Sequence, residues 1–335
     1  MQILFELSKE HKSLPKSEIK SCLQSENITY DILDLNEDAI VINADISLNK
    51  IKKIANRLSM AFFIDQILFV CSTKDEIIKQ KAKKHPLEKK GSIAITCKNR
   101  SENISSKKII DELGDIYTKN RKVDLNNPDN KLRVLITNKK IYVGLKKAEI
   151  DRAQFEKRKV QHRPFFSPIS LHPKIARTLV NLSEIKKNET LLDPFCGTGG
   201  ILIEAGLIGA KLLGSDIEKK MIDGCKKTLE FYGLKNYKLF CCDIGDIKEQ
   251  INYVHAVVTD LPYGKSTTTK GEEIKKLYER AFENISKVLK EKRKAVIGLS
   301  NKDRISLGEK YLSLIEKHEY RVHKSLTRYF VVYQK

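Results

Sequence analysis

The half of the chain that follows residue 170 alternates short apolar runs with amphipathic segments, and this alternation is the strongest constraint on the fold. The apolar runs have the length of buried strands, and short links join them to segments with a helical period. These runs are TLLDPF, KLLGSDI, NYKLFCCD, VHAVVTD and KAVIGLS. Regular alternation of strands and helices indicates a parallel, doubly wound α/β sheet. The C-terminal stretch EYRVHKSLTRYFVVYQK predicts an antiparallel hairpin added to that sheet.

The N-terminal half has a different pattern, with short strands and isolated amphipathic segments. ILFEL (3–7) predicts a strand, while residues 17–28 and 105–120 carry apolar residues at helical spacing, the second group after a serine cap. Residues 123–145 predict a turn-rich loop followed by a hairpin whose turn lies around Lys139. This half is therefore expected to be α+β with mixed strands.

Composition and charge restrict the cellular location and the binding partners that we expect for this chain. The 335 residues carry a net charge of +20, and a basic surface of this kind suits a polyanion such as nucleic acid, although a lysine-rich proteome would give the same charge. The longest apolar stretch (60–71) is interrupted by Asp65, and the N-terminus lacks the pattern of a signal peptide, so a cytoplasmic location is expected. The seven cysteines form no CxxC pair, so no disulfide framework and no metal are expected.

The stretch LLDPFCGTGG (191–200) places Asp193 at the end of a strand and a glycine-rich turn at the start of the next helix. Such a turn suits NAD, a nucleotide or S-adenosylmethionine, because glycine lets the backbone approach a ligand closely. The spacing is D-x-F-x-G-x-G and not the G-x-G-x-x-G of dinucleotide sites. An acid ahead of the glycines disfavours a pyrophosphate and favours the α-ammonium group of S-adenosylmethionine.

Two further acids end the next two strands of the predicted sheet. Asp216 in GSDI could accept both ribose hydroxyls, and Asp243 in CCDIGD could hold the exocyclic amine of adenine. Single acids at strand ends are often helix caps, but three at successive strand ends favour one binding site at that edge. The predicted cofactor-binding residues are Asp193, Phe195, Cys196, Gly197, Thr198, Gly199, Asp216, Ile217, Asp243 and Ile244.

The fourth strand ends in Asp260-Leu261-Pro262-Tyr263, at the same edge as the other acids. An exocyclic amine on a nucleobase is a poor nucleophile, because its lone pair is delocalised into the ring. The Asp260 carboxylate and the Leu261 carbonyl could accept its two N–H bonds and stabilise the positive charge of the transition state. Pro262 would rigidify the turn, and Tyr263 would stack on an extruded base. The simpler interpretation is an acid that caps a loop beside a buried tyrosine.

Cys196 lies within the glycine turn and raises the alternative of a nucleophilic cysteine of the cytosine-C5 type. It lies on the predicted cofactor side, however, and Tyr263 stands after the fourth strand where such chemistry would need a thiol. Cys196 is therefore expected to be a small packing residue.

With these residues assembled, the chain resembles the archaeal tRNA guanine-10 N2-dimethyltransferases, which join a THUMP domain to a Rossmann-like methyltransferase domain. DPFCGTGGILIEAGLIG, SDIEKKMIDGCKKTLEFYG and TDLPYGKS carry the resemblance, and GSIAITCKNR is similar to a THUMP segment. The resemblance implies a ferredoxin-like region at 1–50, THUMP at 51–150, a linker at 151–170 and the methyltransferase domain at 171–335.

The resemblance also implies roles for the two halves. The residues from Asp193 to Gly199 would bind S-adenosylmethionine with Asp216 and Asp243, and the residues from Asp260 to Tyr263 would act on the guanine N2. The THUMP half would hold the acceptor end of tRNA, so that a fixed distance selects the nucleotide. The basic residues expected to contact this substrate are Lys98, Arg100 and Lys265. Members of the family usually show D-P-P-Y, so Leu261 in place of the first proline leaves the turn less rigid.

Other functions are compatible with the same residues. The same fold could methylate a different tRNA guanosine or an rRNA, and D-P-P-Y also occurs in N6-adenine DNA methyltransferases. A catalytically inactive RNA-binding protein is the non-enzyme alternative. A monomer without a membrane partner is expected, and a small activating subunit could also bind. The motifs fit both mono- and dimethylation.

Overall fold

The computed structural model describes residues 1–73, 77–167, 170–263, 273–323 and 326–335. The chain forms two compact units, and each unit draws on separate stretches of sequence. Unit 1 contains Met1–Glu10, Ile28–Ala55 and Ala61–Ile150. Unit 2 contains His11–Asn27, Asn56–Met60 and Asp151–Lys335. Among the helices within the described ranges, none is long and apolar enough to cross a membrane.

Unit 1 is built on one mixed sheet of seven strands in the order β2-β3-β1-β4-β7-β6-β5. Its strands are β1 (Gln2–Leu7), β2 (Tyr30–Leu35), β3 (Ala39–Ala44), β4 (Ala61–Ser72), β5 (Ile93–Asn99), β6 (Asn130–Ile136) and β7 (Lys140–Glu149). Strands β5 and β6 are parallel, and the other neighbours are antiparallel. The expected α+β class with mixed strands is confirmed for this half.

The helices that lie wholly or mostly in unit 1 are α2 (Leu48–Arg57), α3 (Ile78–Lys84) and α4 (Ser106–Tyr117). The side chain of Ser105 accepts a hydrogen bond from the backbone N–H of Lys108, so the predicted serine cap of α4 is confirmed. The backbone N–H of Thr137 donates to the carbonyl of Lys140 at 2.9 Å, which closes the β6–β7 hairpin at the predicted turn.

Unit 2 is built on a second sheet of seven strands in the order β10-β9-β8-β11-β12-β14-β13. Its strands are β8 (Thr190–Asp193), β9 (Lys211–Asp216), β10 (Tyr237–Cys241), β11 (Val254–Asp260), β12 (Leu289–Leu299), β13 (Ser313–His323) and β14 (Leu326–Gln334). The first five in that order run parallel, and β14 pairs antiparallel with both β12 and β13. The doubly wound sheet and its terminal hairpin were both predicted, and both are confirmed.

The other helices are α1 (Leu14–Ser25), α5 (Ala153–Lys157), α6 (Pro173–Leu182), α7 (Gly200–Leu207), α8 (Lys219–Phe231), α9 (Ile247–Gln250), α10 (Ile274–Val288) and α11 (Ile305–Glu309). Apolar residues cover both faces of the sheet, because neighbours along a strand point to opposite sides. Leu191 and Val258 belong to one buried cluster, and Leu192 and Val257 belong to the other.

Helix α1 belongs to unit 2, although it lies within the first 50 residues of the chain. Glu18 is fully buried and accepts hydrogen bonds from Ser59 Oγ at 2.6 Å, the N–H of Met60 at 2.8 Å and Asn181 Nδ2 at 2.9 Å. Burial raises the pKa of Glu18, and these hydrogen bonds oppose the rise. One carboxyl group therefore joins α1, the segment 56–60 and α6.

Replacing Glu18 by alanine is expected to lower the free energy of unfolding by about 3 kcal/mol, because several buried donors lose their acceptor at once. Chemical denaturation of the full chain measures the effect. Glu249→Ala, at an exposed position on α9, is the matched control and should change stability by less than about 0.5 kcal/mol. A similarly small effect of Glu18→Ala would show that this carboxyl group does not hold α1 in place.

The predicted connector also folds as part of unit 2. Residues 153–157 form α5, and Phe155 on this helix is fully buried. Arg158 follows the helix and donates from Nε to the buried carboxylate of Glu204 at 2.7 Å. The segment is therefore a packed element that leads into α6.

Candidate active site

The carboxyl ends of the parallel strands of unit 2 surround a cavity of about 360 Å³. Parallel strands bring their carboxyl ends to one edge of a sheet, which is the usual ligand-binding edge of this architecture. Predicted residues that line the cavity are Asp193, Phe195, Cys196, Gly197, Thr198, Asp216, Ile217, Asp243, Ile244, Asp260, Leu261, Pro262 and Tyr263. Lining residues that the sequence did not indicate include Ser167, Ser170, Leu171, Glu218, Met221 and Leu277.

The glycine turn between β8 and α7 depends on left-handed backbone at two positions. Gly197 has φ of 49° and Gly199 has φ of 82°, a region that residues with a side chain rarely adopt. A Cβ atom at Gly199 would also lie 2.8 Å from the sulfur of Cys225. Gly197 lines the cavity, whereas Gly199, which was also predicted to bind the cofactor, is not among the lining residues and shapes the turn.

Asp216, at the end of β9, fixes this turn from the neighbouring strand. Its carboxylate accepts hydrogen bonds from the backbone N–H groups of Gly197 and Glu218, both at 3.0 Å. Burial raises the pKa of Asp216, and the two N–H groups oppose that rise. The carboxylate retains lone pairs toward the cavity, since each oxygen can accept more than one hydrogen bond.

Asp193 is almost completely buried at the end of β8. Its Oδ1 accepts hydrogen bonds from Thr259 Oγ1 at 2.7 Å and from the N–H of Phe195 at 3.2 Å. Burial, together with the nearby negative charges of Asp216 and Asp260, raises the pKa of Asp193 to about 7, and the two hydrogen bonds oppose this rise. A large fraction of this carboxyl group is therefore protonated at neutral pH.

Asp243 lines the cavity but has partners of its own. Its carboxylate pairs with the guanidinium of Arg280, with Nη2 3.3 Å from Oδ2, and accepts from the N–H of Gly245 at 2.8 Å. Burial acts to raise the pKa of Asp243, but Arg280 and the backbone N–H groups outweigh it and the pKa is lowered. The predicted hydrogen bond to an adenine amine therefore has to coexist with Arg280, a residue on α10 that the sequence did not indicate.

The turn after β11 is held by hydrogen bonds at two backbone positions. The N–H of Leu261 donates to the carbonyl of Gly298 at 3.0 Å, and the hydroxyl of Tyr278 donates to the carbonyl of Pro262 at 2.9 Å. A proline at position 261 would have no N–H to make the first of these bonds. Leu261 thus restrains the turn by a hydrogen bond and by burial, which replaces the restraint of a proline ring.

Asp260 has a partner at each carboxylate oxygen. The hydroxyl of Tyr263 donates to Oδ1, and Nη2 of Arg328 lies 3.6 Å from Oδ2. Burial raises the pKa of Asp260, and Arg328 and Tyr263 oppose the rise. A Cβ atom at Gly298 would lie 2.2 Å from Oδ1, so only glycine leaves room for the carboxylate here.

The charge of the cavity contrasts with the charge of the protein. Its described lining contains the five acids Asp193, Asp216, Glu218, Asp243 and Asp260 and no lysine or arginine, whereas the whole chain has a net charge of +20. Such a lining suits a ligand with positive charges and repels a pyrophosphate. S-adenosylmethionine carries a sulfonium and an ammonium group against a single carboxylate, so its net positive charge fits the residues present.

The three residues predicted to contact the tRNA have different positions. The side chain of Lys98 is exposed at the end of β5 in unit 1. Arg100 is only 7% exposed, and its guanidinium donates to Glu6 at 2.9 Å and to Asp38 at 3.0 Å. These ion pairs give Arg100 a structural role inside unit 1, so its predicted contact with RNA has no support from its position. Lys265 and Gly264 lie outside the described residues.

No metal centre is found among the residues that the structure describes, where no three of the His, Cys, Asp and Glu side chains are arranged to hold an ion. Cys196 and Cys225 are buried free thiols near the glycine turn.

Two known domain families match the chain. Residues 160–329 match the RMKL-like methyltransferase domain of the UPF0020 family, and residues 75–146 match the THUMP domain. The tRNA (guanine(10)-N2)-dimethyltransferase of Methanothermobacter thermautotrophicus is 34% identical over 333 residues, which is 98% of each chain. The enzyme of the same name from Pyrococcus abyssi is 39% identical over 243 residues, or 72% of this chain and 71% of the relative.

Solved structures agree on the fold. TrmN from Thermus thermophilus superimposes with a TM-score of 0.58 at 17% identity, covering all of both chains. SMU.472 complexed with SAH superimposes with a TM-score of 0.55 at 14% identity, covering 99% of this chain and 98% of that one.

These findings confirm the predicted architecture, a THUMP domain followed by an S-adenosylmethionine-dependent methyltransferase domain. The match to the methyltransferase family covers half of the chain, and the identity to the relative from Methanothermobacter extends over nearly all of it. The chain therefore belongs to the family of the tRNA (guanine(10)-N2)-dimethyltransferases.

Proposed function

We propose that this protein transfers methyl groups from S-adenosylmethionine to the exocyclic N2 of guanosine 10 in tRNA, first to N2-methylguanosine and then to N2,N2-dimethylguanosine. The observation that carries the proposal is the Asp260–Tyr263 turn, which forms one wall of an acidic cavity in unit 2. The curated relatives that act on guanine 10 of tRNA supply the target. The domain bounds proposed from the sequence are 1–50, 51–150, 151–170 and 171–335.

The cofactor supplies an electrophilic methyl group when it is bound. Asp216 is suited to accept hydrogen bonds from the ribose hydroxyls, because its carboxylate lies at the end of β9 and lines the cavity. Asp193 and the turn at Gly197 would hold the amino-acid end, where the ionised form of Asp193 would offset the charge of the ammonium group. Ile217 and Ile244 offer apolar surface for the adenine beside Asp243.

Asp260 and the Leu261 carbonyl would accept the two N–H bonds of the guanine amine. Both acceptors are held in place before the base arrives. Tyr263 and Arg328 flank the Asp260 carboxylate. The backbone on either side of the Leu261 carbonyl is hydrogen-bonded, at its N–H to Gly298 and at the Pro262 carbonyl to Tyr278. Preorganised acceptors favour the pyramidal, positively charged nitrogen of the transition state over the planar amine. The N2 lone pair would take up the methyl group, the methyl–sulfur electron pair would stay on the sulfur, and the Asp260 carboxylate would take the proton lost from N2.

The tRNA would be held by unit 1, which contains the THUMP match and the exposed side chain of Lys98. Tyr263 would offer its ring face to the extruded guanine. We further propose that the protein works in the cytoplasm as a monomer, to which a small activating subunit could bind.

Inosine at position 10 tests this proposal, because inosine is guanosine without the exocyclic amine and still pairs with cytosine. Purified protein is incubated with labelled S-adenosylmethionine and tRNA transcripts that carry guanosine or inosine at this position. We expect incorporation into the guanosine transcript and at least an approximately 100-fold lower rate with inosine, since the methyl acceptor is missing. Equal incorporation into both transcripts would contradict N2 of residue 10 as the target.

A further inference from the structure

Arg328 lies beside the two side chains that the proposed function places in contact with the base. It follows the start of β14, and its side chain is 9% exposed. Its Nη2 is 3.6 Å from Asp260 Oδ2, and its guanidinium carbon is 5.2 Å from the centre of the Tyr263 ring. One buried cation therefore contacts the carboxylate and the aromatic ring together.

This position is costly for the folded protein. The Nε of Arg328 is buried without a hydrogen-bond partner among the described residues, and 3.6 Å is longer than a good charge-assisted hydrogen bond. Buried polar groups that lack partners are uncommon, and a catalytic role is one of the reasons for which a site keeps one. The unpaired Nε and the long ion pair to Asp260 are together consistent with a role for Arg328 in the chemistry beside it.

The electrostatic need for such a cation comes from the cavity. Asp260 lies among Asp193, Asp216 and the other acids of the lining, and burial disfavours its charged form. Arg328 is the basic residue that the described part of the chain brings within ion-pair distance of Asp260. A cation at this distance favours the carboxylate, which is the form that can accept an N–H bond from the guanine amine.

The ring of Tyr263 gives a second, geometric reason for a cation at the position of Arg328. A guanidinium placed over an aromatic face is attracted to it, and a ring has two faces. With Arg328 over one face, a stacked base would take the other, and Tyr263 lines the cavity that such a base would enter. The hydroxyl of Tyr263 donates to Oδ1 of Asp260, so an incoming amine has to take over that acceptor while Arg328 remains beside Oδ2.

We propose that Arg328 is a positioning residue that keeps Asp260 ionised and fixes the Tyr263 ring with one face open to the target base. This inference rests on the proposed function of the Asp260–Tyr263 turn. It gives the terminal hairpin a part in the reaction as well as in the sheet.

Arg328→Met and Arg328→Lys test the inference. Methionine keeps much of the side-chain length but removes the positive charge, and lysine keeps the charge but lacks the planar guanidinium group. Single-turnover methylation is measured between pH 6 and 9. For Arg328→Met we expect a rate at pH 7 that is lower by about 10- to 100-fold, with the acid limb of the profile displaced upward by about one pH unit. In Arg328→Lys, the acid limb of the profile should lie at the wild-type position, and the rate should lie between those of Arg328→Met and the wild type.

A second readout does not depend on activity. The ¹³Cγ resonance of Asp260, assigned with Asp260→Asn, reports the titration of this carboxyl group in each variant. We expect its midpoint to rise by about one pH unit in Arg328→Met and to stay near the wild-type value in Arg328→Lys. Arg321→Met, at an exposed position on β13, is the control and should match the wild type in both readouts.

The possible outcomes distinguish the role inferred for Arg328 from the proposed function of the Asp260–Tyr263 turn. An unchanged Asp260 midpoint and an unchanged pH profile in Arg328→Met would overturn the inference and leave a structural ion pair. If Arg328→Met does not fold, the lysine variant decides, because a displaced acid limb there contradicts the charge role. A shifted midpoint in a protein that methylates no guanosine would support the electrostatic role and overturn the proposed function instead.

Discussion

Replacing Asp260 by asparagine is expected to lower the rate of methyl transfer about a thousandfold while the affinity for S-adenosylmethionine stays within a few-fold of wild type. The amide of asparagine has a similar shape, but it carries no negative charge for the developing positive nitrogen and no base for its proton. The affinity should persist because other residues, led by Asp216 at the glycine turn, are placed to hold the cofactor. Single-turnover kinetics with saturating tRNA, together with calorimetric cofactor binding, measure both quantities.

Asp303→Asn is the matched control, since Asp303 is an exposed aspartate of the same unit that does not line the cavity. It should retain the wild-type rate. If Asp260→Asn lost less than about tenfold in rate, Asp260 would not be the acceptor of the amine, and the turn would have only a structural role.

Replacing Asp193 by asparagine is expected to stabilise the protein above pH 7 and to weaken cofactor binding. The pKa of Asp193 rises from 3.8 to about 7 in the folded protein, so the folded state binds more protons than the unfolded state between these values. The free energy of unfolding of the wild type should therefore fall as pH rises from about 4 to 7 and level off above. The upper limit of this loss is about 4 kcal/mol, from 1.36 kcal/mol per pKa unit.

The asparagine variant removes this loss, because its amide does not titrate while its oxygen can still accept from Thr259 and Phe195. Its stability should exceed that of wild type at pH 8, and the excess should shrink as pH falls toward 4. Denaturation at a series of pH values measures this, with Asp303→Asn as the control. A variant that is less stable than wild type at pH 8 would show that the charge on Asp193 costs the fold little.

Cofactor binding by the wild type should strengthen as pH rises, whereas the stability of the wild type should fall. If only the ionised form of Asp193 binds the positively charged ligand, the Kd of the wild type rises about tenfold between pH 8 and pH 6. The asparagine variant should bind more weakly at pH 8 with a flatter pH dependence. A wild-type Kd that does not change with pH would exclude Asp193 from binding the ammonium group.

The sequence was sufficient to predict the sheet of unit 2 and the position of its acids, because strand length, helical period and acids at strand ends are local signals. Asp193, Asp216 and Asp260 meet at one cavity because parallel strands end at one edge. Leu261 was expected to weaken its turn, but the N–H bond to Gly298 depends on a neighbouring strand that no local signal identifies.

The partners of the site acids could not be predicted for the same reason. Arg280 lies on α10 and Arg328 on the terminal hairpin, and only the folded chain brings them to Asp243 and Asp260. Arg100 shows the converse, since a basic residue in a basic stretch is buried against Glu6 and Asp38. The hydrogen bonds by which Glu18 joins α1 to the rest of unit 2 likewise involve residues that are distant in sequence and meet only in the folded state.

The most direct test of the central claim is the identity and position of the modified nucleoside. An unmodified tRNA transcript is methylated by the wild-type protein and by Asp260→Asn, digested, and mapped by mass spectrometry. We expect N2-methylguanosine and N2,N2-dimethylguanosine at position 10 from the wild type and neither from the variant. Methylated adenine, methylation of another guanosine, or full activity of Asp260→Asn would contradict the assignment of this turn to N2 of guanosine 10.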